Sequence, residues 1–156
     1  TSTLYHGVQN PKLKKTLIKL DHAGIYFLIA GSYTPFCLIS LHGPIGWSLL
    51  AIIWLCALSG MIIKFVFEDY NRYRHLSLAM YLVMGWLALF VIEPLWQSLT
   101  LHGFILLIAG GLCYTIGSIF FALDHKYHFG HFMWHLFVLA GSICHFFAIL
   151  FFVILA

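Results

Sequence analysis

Five apolar stretches, over residues 21–41, 45–67, 76–92, 101–123 and 132–156, dominate the sequence and leave little chain for anything else. A membrane-spanning helix needs roughly 20 apolar residues, so five such spans with short connectors account for nearly all of the 156 residues. The third stretch is the shortest and reaches spanning length if Trp96 sits at the interface. None of the stretches alternates polar and apolar residues, which favours helices over barrel strands. The chain is 62% hydrophobic and 8% charged, whereas soluble domains carry about a quarter charged residues. This balance excludes a soluble enzyme, a nucleic-acid binder and a disordered tail. The expected fold is therefore an all-α integral membrane protein, one transmembrane domain over 1–156. A partial helix is expected over 1–9, closed by the Asn10-Pro11 pair. The chain opens at Thr1 inside what reads as a helix end, as the later part of a longer membrane protein would.

Charge supports this count. With residues 10–19 on one side, the chain turns on the opposite side at 42–44 and 94–100, and on the first side at 68–74 and 124–130. Lys12, Lys14, Lys15, Lys19, Lys64, Arg72, Arg74 and Lys126 all fall on the first side, which are all 8 basic residues. By the positive-inside rule that side is cytoplasmic. A miscounted span would have scattered the charges. Cys37, Cys56, Cys113 and Cys144 each lie in an apolar run without CxxC spacing, so they read as buried thiols rather than disulfides or metal ligands. Pro35 is expected to bend the first span, and Gly110, Gly111, Gly117 and Ser118 to allow close packing of the fourth.

Ionisable residues inside a membrane are costly and are functional candidates. Ser2, His6, Asp21, His22, Glu93, His131, His135 and His145 are the candidates here. The topology brings His6, Asp21, His131 and His135 to one depth near the cytoplasmic face, from three distant segments. Ser2 and His6 are spaced i, i+4, as are His131 and His135, so each pair projects from one helix face. Three imidazoles at one depth suit a tetrahedral Zn²⁺ with an open position, and a carboxylate and hydroxyl nearby suit holding or deprotonating a water there. A competing triad, His128, His131 and His135, is disfavoured because Gly130 marks the start of the last helix. His125 and His128 read as loop residues. His145 stands nearly three turns from His135, too far to share an ion, and reads as a hydrogen-bonded core histidine. Asp21 has a structural alternative, as a helix cap or a partner of Lys19. His22 points about 100° away from Asp21 around the helix and reads as packing or support. Glu93, before Pro94, reads as interfacial.

The motifs Ser2-Thr-Leu-Tyr-His6, Lys19-Leu-Asp21-His-Ala-Gly-Ile25 and His131-Phe-Met-Trp-His135 resemble the hemolysin III family, in that order and across essentially the whole chain. That family belongs with the progestin and adipoQ receptors and is distantly similar to the alkaline ceramidases. The resemblance implies a seven-helix bundle, of which this chain holds the end of helix 2 and helices 3 to 7. It implies zinc ligands at His6, His131 and His135, with water-holding positions at Asp21 and Ser2. It also implies a multi-pass protein of a bacterial inner membrane, with the zinc site toward the cytoplasm and membrane lipids as substrate or ligand.

Three functions compete. One is a zinc-dependent hydrolase of a lipid amide or ester, with Asp21 taking the proton and Ser2 as a second hydrogen-bond partner. Another is a non-enzymatic sensor or receptor whose zinc pins helices together. The last is a cytolytic pore, which should show polar residues through the full membrane thickness. The hydrolase reading expects a lipid-sized cavity beside the site.

Overall fold

The computed structural model describes residues 4, 7–66, 70–124, 126, 127 and 129–155, for 70–74 the backbone only. Six helices, α1 (Pro11–Pro35), α2 (Gly43–Val66), α3 (Tyr70–Trp86), α4 (Ile92–Ser98), α5 (Leu101–Ala122) and α6 (Gly130–Ile149), carry the described chain. Among the described residues there is no strand. Three irregular helical turns interrupt them: Phe36–Ser40 and Leu150–Ile154 widen to π geometry, and Leu87–Val91 tightens to 3₁₀ geometry. Joined through those turns, five helical runs are long and apolar enough to cross a membrane. The expected partial helix over 1–9 lies mostly outside the described residues; within it, Val8 N–H donates to Leu4 C=O at 3.1 Å.

Two boundaries differ from the sequence reading. The 10–19 segment is not a loop but the first turns of α1. Asn10 caps that helix, its side-chain oxygen accepting from Lys12 N–H at 3.0 Å and Leu13 N–H at 3.4 Å, and Pro11 takes the first helical position. An Asn-Pro pair starts a helix as readily as it stops one, because proline at the first position lacks only an N–H that would go unused. The resulting 30-residue run is about 45 Å long, so the lysine-bearing turns extend beyond the hydrocarbon core.

The third span also continues to Ser98 rather than ending at Ile92, so Glu93, Pro94 and Trp96 lie on α4. Pro94 cannot donate a hydrogen bond back to residue 90, and the chain meets it through the 3₁₀ turn Leu87–Val91. The Tyr33 hydroxyl bridges this break. It donates to Gly85 C=O at 2.7 Å and accepts from Ala88 N–H at 2.9 Å. The break is thus satisfied from α1, as irregular backbone at membrane depth must be.

Packing follows the small residues. α5 and α6 lie closest together, in a reciprocal fit. The His145 ring of α6 rests on Gly110, where an added Cβ would overlap it, and the Tyr114 ring of α5 rests on Gly141, where a Cβ would come within 2.9 Å. Gly117 has the same relation to Phe137 and Trp134. Gly111, expected in this seam, instead faces a cleft on the other side of α5. α1 and α2 pair through a tight turn at Gly43, whose φ of +73° suits a residue without Cβ. The larger core, around Tyr26, Ile53, Ala57 and Met84, joins these two pairs through α3.

Candidate functional site

Charged and ionisable residues of α1, α2 and α6 meet at one end of the bundle. Lys19 Nζ donates to Phe65 C=O at 3.5 Å, tying the first half of α1 to the last turn of α2. Lys64, Asp21 and His131 all lie in Coulombic range of His22, which brings α1, α2 and α6 together there. His22 itself is buried. Its Nδ1 donates to Ile18 C=O at 2.7 Å, its ring packs 6.2 Å from Phe121, and its backbone carbonyl accepts from the Tyr81 hydroxyl at 3.0 Å. It is a packing residue of this end, on the helix turn that presents Asp21.

Asp21 is partly buried in the middle of α1, ten residues beyond its first residue, so it does not cap that helix; Asn10 does. On α6, which begins at Gly130 as the sequence suggested, His131 and His135 stand one turn apart. Their rings meet edge to face with centroids 4.7 Å apart, and their Nε2 atoms are 3.1 Å apart. At 3.1 Å the two nitrogens are at hydrogen-bond distance, a little closer than the roughly 3.3–3.4 Å that separates two nitrogens bound at about 2.0–2.1 Å to one tetrahedral ion. His6 and Ser2, the other expected members of the site, lie outside the described residues, as do His125 and His128. The described residues alone form no group of three metal-ligating side chains.

Two charged residues that sequence reasoning had not placed in the site also stand here. Asp124, in the connection between α5 and α6, brings its Oδ2 to 3.6 Å from His131 Nδ1. Lys64 is buried and continues the inward stripe of Ala57, Gly60 and Met61 on α2. That i, i+3, i+4 continuation was a readable signal. For Asp124 the signal was its being an acidic residue in the loop just before the HxxxH motif.

Away from this end, a cleft with about 110 Å³ of internal volume runs between α1, α3, α5 and α6. Its wall on α1 and the π turn that follows extends from Ile25 to Cys37, about 18 Å along the helical run. Trp134 and Val138, which flank His135 on α6, belong to its lining. That lining is mostly apolar, and its hydroxyls are engaged within the protein. Ser32 donates to Ile29 C=O, Thr115 to Gly111 C=O and Ser118 to Tyr114 C=O, at 2.8–2.9 Å. His145 also lines it, as the hydrogen-bonded core residue expected, with Nε2 donating to Leu107 C=O at 3.2 Å. Glu93, on α4, accepts from Gln97 Nε2 at 2.7 Å.

Comparison with known proteins shows the family of the chain. The family model described as "Haemolysin-III related" matches residues 1–146. Hemolysin-3 of Bacillus cereus is 52% identical over 153 residues, covering 98% of this chain and 68% of that protein. A Hemolysin-3 homolog of Bacillus subtilis is 46% identical over 152 residues, covering 97% and 70%. The human monocyte to macrophage differentiation factor is 33% identical over 153 residues, covering 95% and 62%. No solved structure matches. With its run of membrane-spanning helices and a match over nearly its whole length, the chain belongs to the haemolysin-III-related family of multi-pass membrane proteins, which also has mammalian relatives of the progestin and adipoQ receptor type.

Proposed function

We propose that this protein is a zinc-dependent hydrolase that cleaves an amide or ester bond of a membrane lipid near the cytoplasmic face. The observation that carries the reading is the convergence of His131 and His135 Nε2 at 3.1 Å, on a helix whose Trp134 and Val138 line an apolar cleft. His6, His131 and His135 would hold the ion, and when bound it supplies Lewis acidity and a water of lowered pKa. The rest of the work falls to the protein. With about 110 Å³ of internal volume the cleft is smaller than the lipid-sized cavity expected, so it would take only part of an acyl chain, past Trp134 and Val138 toward the turn of α6 that carries His135. Asp21, within the α1 turn that joins the Coulombic cluster of His22, Lys64 and His131, accepts the proton released as water attacks the carbonyl. Ser2 gives a second hydrogen bond to that water. The one-sided basic residues support a cytoplasmic orientation for this end, in an inner membrane.

The relatives' name suggests cytolysis, but a pore needs polar groups open to water through the whole membrane. Here the cleft hydroxyls at mid-depth are committed to backbone carbonyls.

The test is product release. Full-length protein, zinc-loaded or metal-stripped, is incubated with vesicles of ceramide or phospholipid, and free fatty acid is followed by mass spectrometry. Release that requires zinc supports the reading. A folded, zinc-loaded protein that releases none from either lipid contradicts it and leaves the sensor alternative.

A further inference from the structure

A histidine that binds metal through one ring nitrogen must keep its proton on the other, and something must hold that arrangement. At His131 the structure supplies a candidate. The ring turns Nε2 toward His135, 3.1 Å away, and Nδ1 toward Asp124 Oδ2, 3.6 Å away. The Asp124 side chain is 16% exposed, against 42% for His131, so the carboxylate is the more sheltered partner of the pair.

Its position is built rather than incidental. α5 ends at Ala122, and the connection folds back through Lys126 N–H to Leu123 C=O and Gly130 N–H to Tyr127 C=O, both 2.9 Å. The last turn of α5 then lies directly against the first residue of α6. A Cβ on Gly130 would come within 2.7 Å of the Asp124 Cα and 3.3 Å of Phe120 C=O. With glycine there, Asp124 stands beside the first turn of α6, where His131 is.

We propose that Asp124 is a positioning residue for zinc binding: its carboxylate accepts the His131 Nδ1–H, fixing the tautomer and ring rotation that aim the Nε2 lone pair at the metal. At 3.6 Å the contact is an ion-pair separation rather than a hydrogen bond, and a small rotation of either side chain closes it. This inference rests on the zinc reading above, but concerns a residue outside the ligand set. The simpler role, a carboxylate fastening the α5–α6 connection near a helix N-terminus, would affect folding and not metal affinity.

The experiment measures zinc affinity of the full-length protein by competition with a chelator, for wild type, Asp124→Ala, Asp124→Asn and Asp124→Glu, with the melting temperature of each metal-free form. In parallel, ¹⁵N-histidine NMR of metal-free protein reports the His131 tautomer, assigned by its loss in His131→Gln. The expected result is 10–100-fold weaker zinc binding in Asp124→Ala, a smaller loss in Asp124→Asn and recovery in Asp124→Glu. The Nδ1–H form of His131 should dominate in wild type and decline in Asp124→Ala. If Asp124→Ala does not fold, the Asn and Glu variants decide. Zinc affinity unchanged in the variants, or losses that follow melting temperature with no change of tautomer, would overturn the proposal while leaving the zinc site standing. Absence of zinc binding in wild type would instead remove both.

Discussion

Asp21 and Tyr33 lie on the same helix, yet only one of them was visible as important before the fold was known. Asp21 stands out because a carboxylate among apolar residues is expensive. Its cap alternative disappears once α1 is seen to start at Pro11, ten residues earlier. In Asp21→Asn we expect zinc to stay bound while lipid hydrolysis falls by about 10²–10⁴-fold, the usual range for a general base. Retained turnover in folded, zinc-loaded protein would exclude the assigned role. Tyr33 reads as one more aromatic in an apolar run. Its partners are backbone atoms at Gly85 and Ala88, more than fifty residues away, and no side-chain pattern announces them. Tyr33→Phe leaves a carbonyl and an N–H unpaired at membrane depth, and should lower stability by about 1–2 kcal/mol. Thermal unfolding in detergent measures this, and an unchanged midpoint would show that the break in the third span is held by other means. Asp124 differs from Tyr33 in having a sequence signal, its place just before the HxxxH motif, but its proximity to His131 depends on a tertiary turn that closes against Gly130.

At the scale of elements, the spans were readable because twenty-odd apolar residues admit few alternatives in a bilayer. Their ends were not, because proline carries two meanings. Pro11 opens α1, although the Asn10-Pro11 pair reads as a stop, and Pro94 sits in the first turn of α4 after a 3₁₀ turn, although it reads as the start of a turn between spans. The glycines of the fourth span divide by face. Gly110 and Gly117 meet α6, whereas Gly111 faces the cleft. The reciprocal fit of Gly110 with His145 and Gly141 with Tyr114 gives a specific expectation. Gly110→Ala should destabilise the protein, and the double variant Gly110→Ala/His145→Ala should recover part of that loss, because the obstructing ring is gone. Additive losses in unfolding measurements would mean that the ring moves aside freely and the fit is not what holds α5 to α6.

For the whole molecule, the one-sided distribution of lysine and arginine is the basis for the orientation proposed, and the structure gathers the first half of α1, the end of α2 and the start of α6 at a common end. A cysteine at position 12 should be labelled only from the cytoplasmic side, and one at position 100 only from the other; labelling of both from one side would contradict the topology. The site proposed at that end draws on segments far apart in the sequence, and this is why spacing alone suggests its members but not their geometry. The most direct measurement is zinc content per purified full-length chain, in wild type and in His6→Ala, His131→Ala and His135→Ala. The account predicts one zinc in wild type and its loss in every variant that remains folded. A wild type without zinc, or variants that keep a full equivalent, would contradict it.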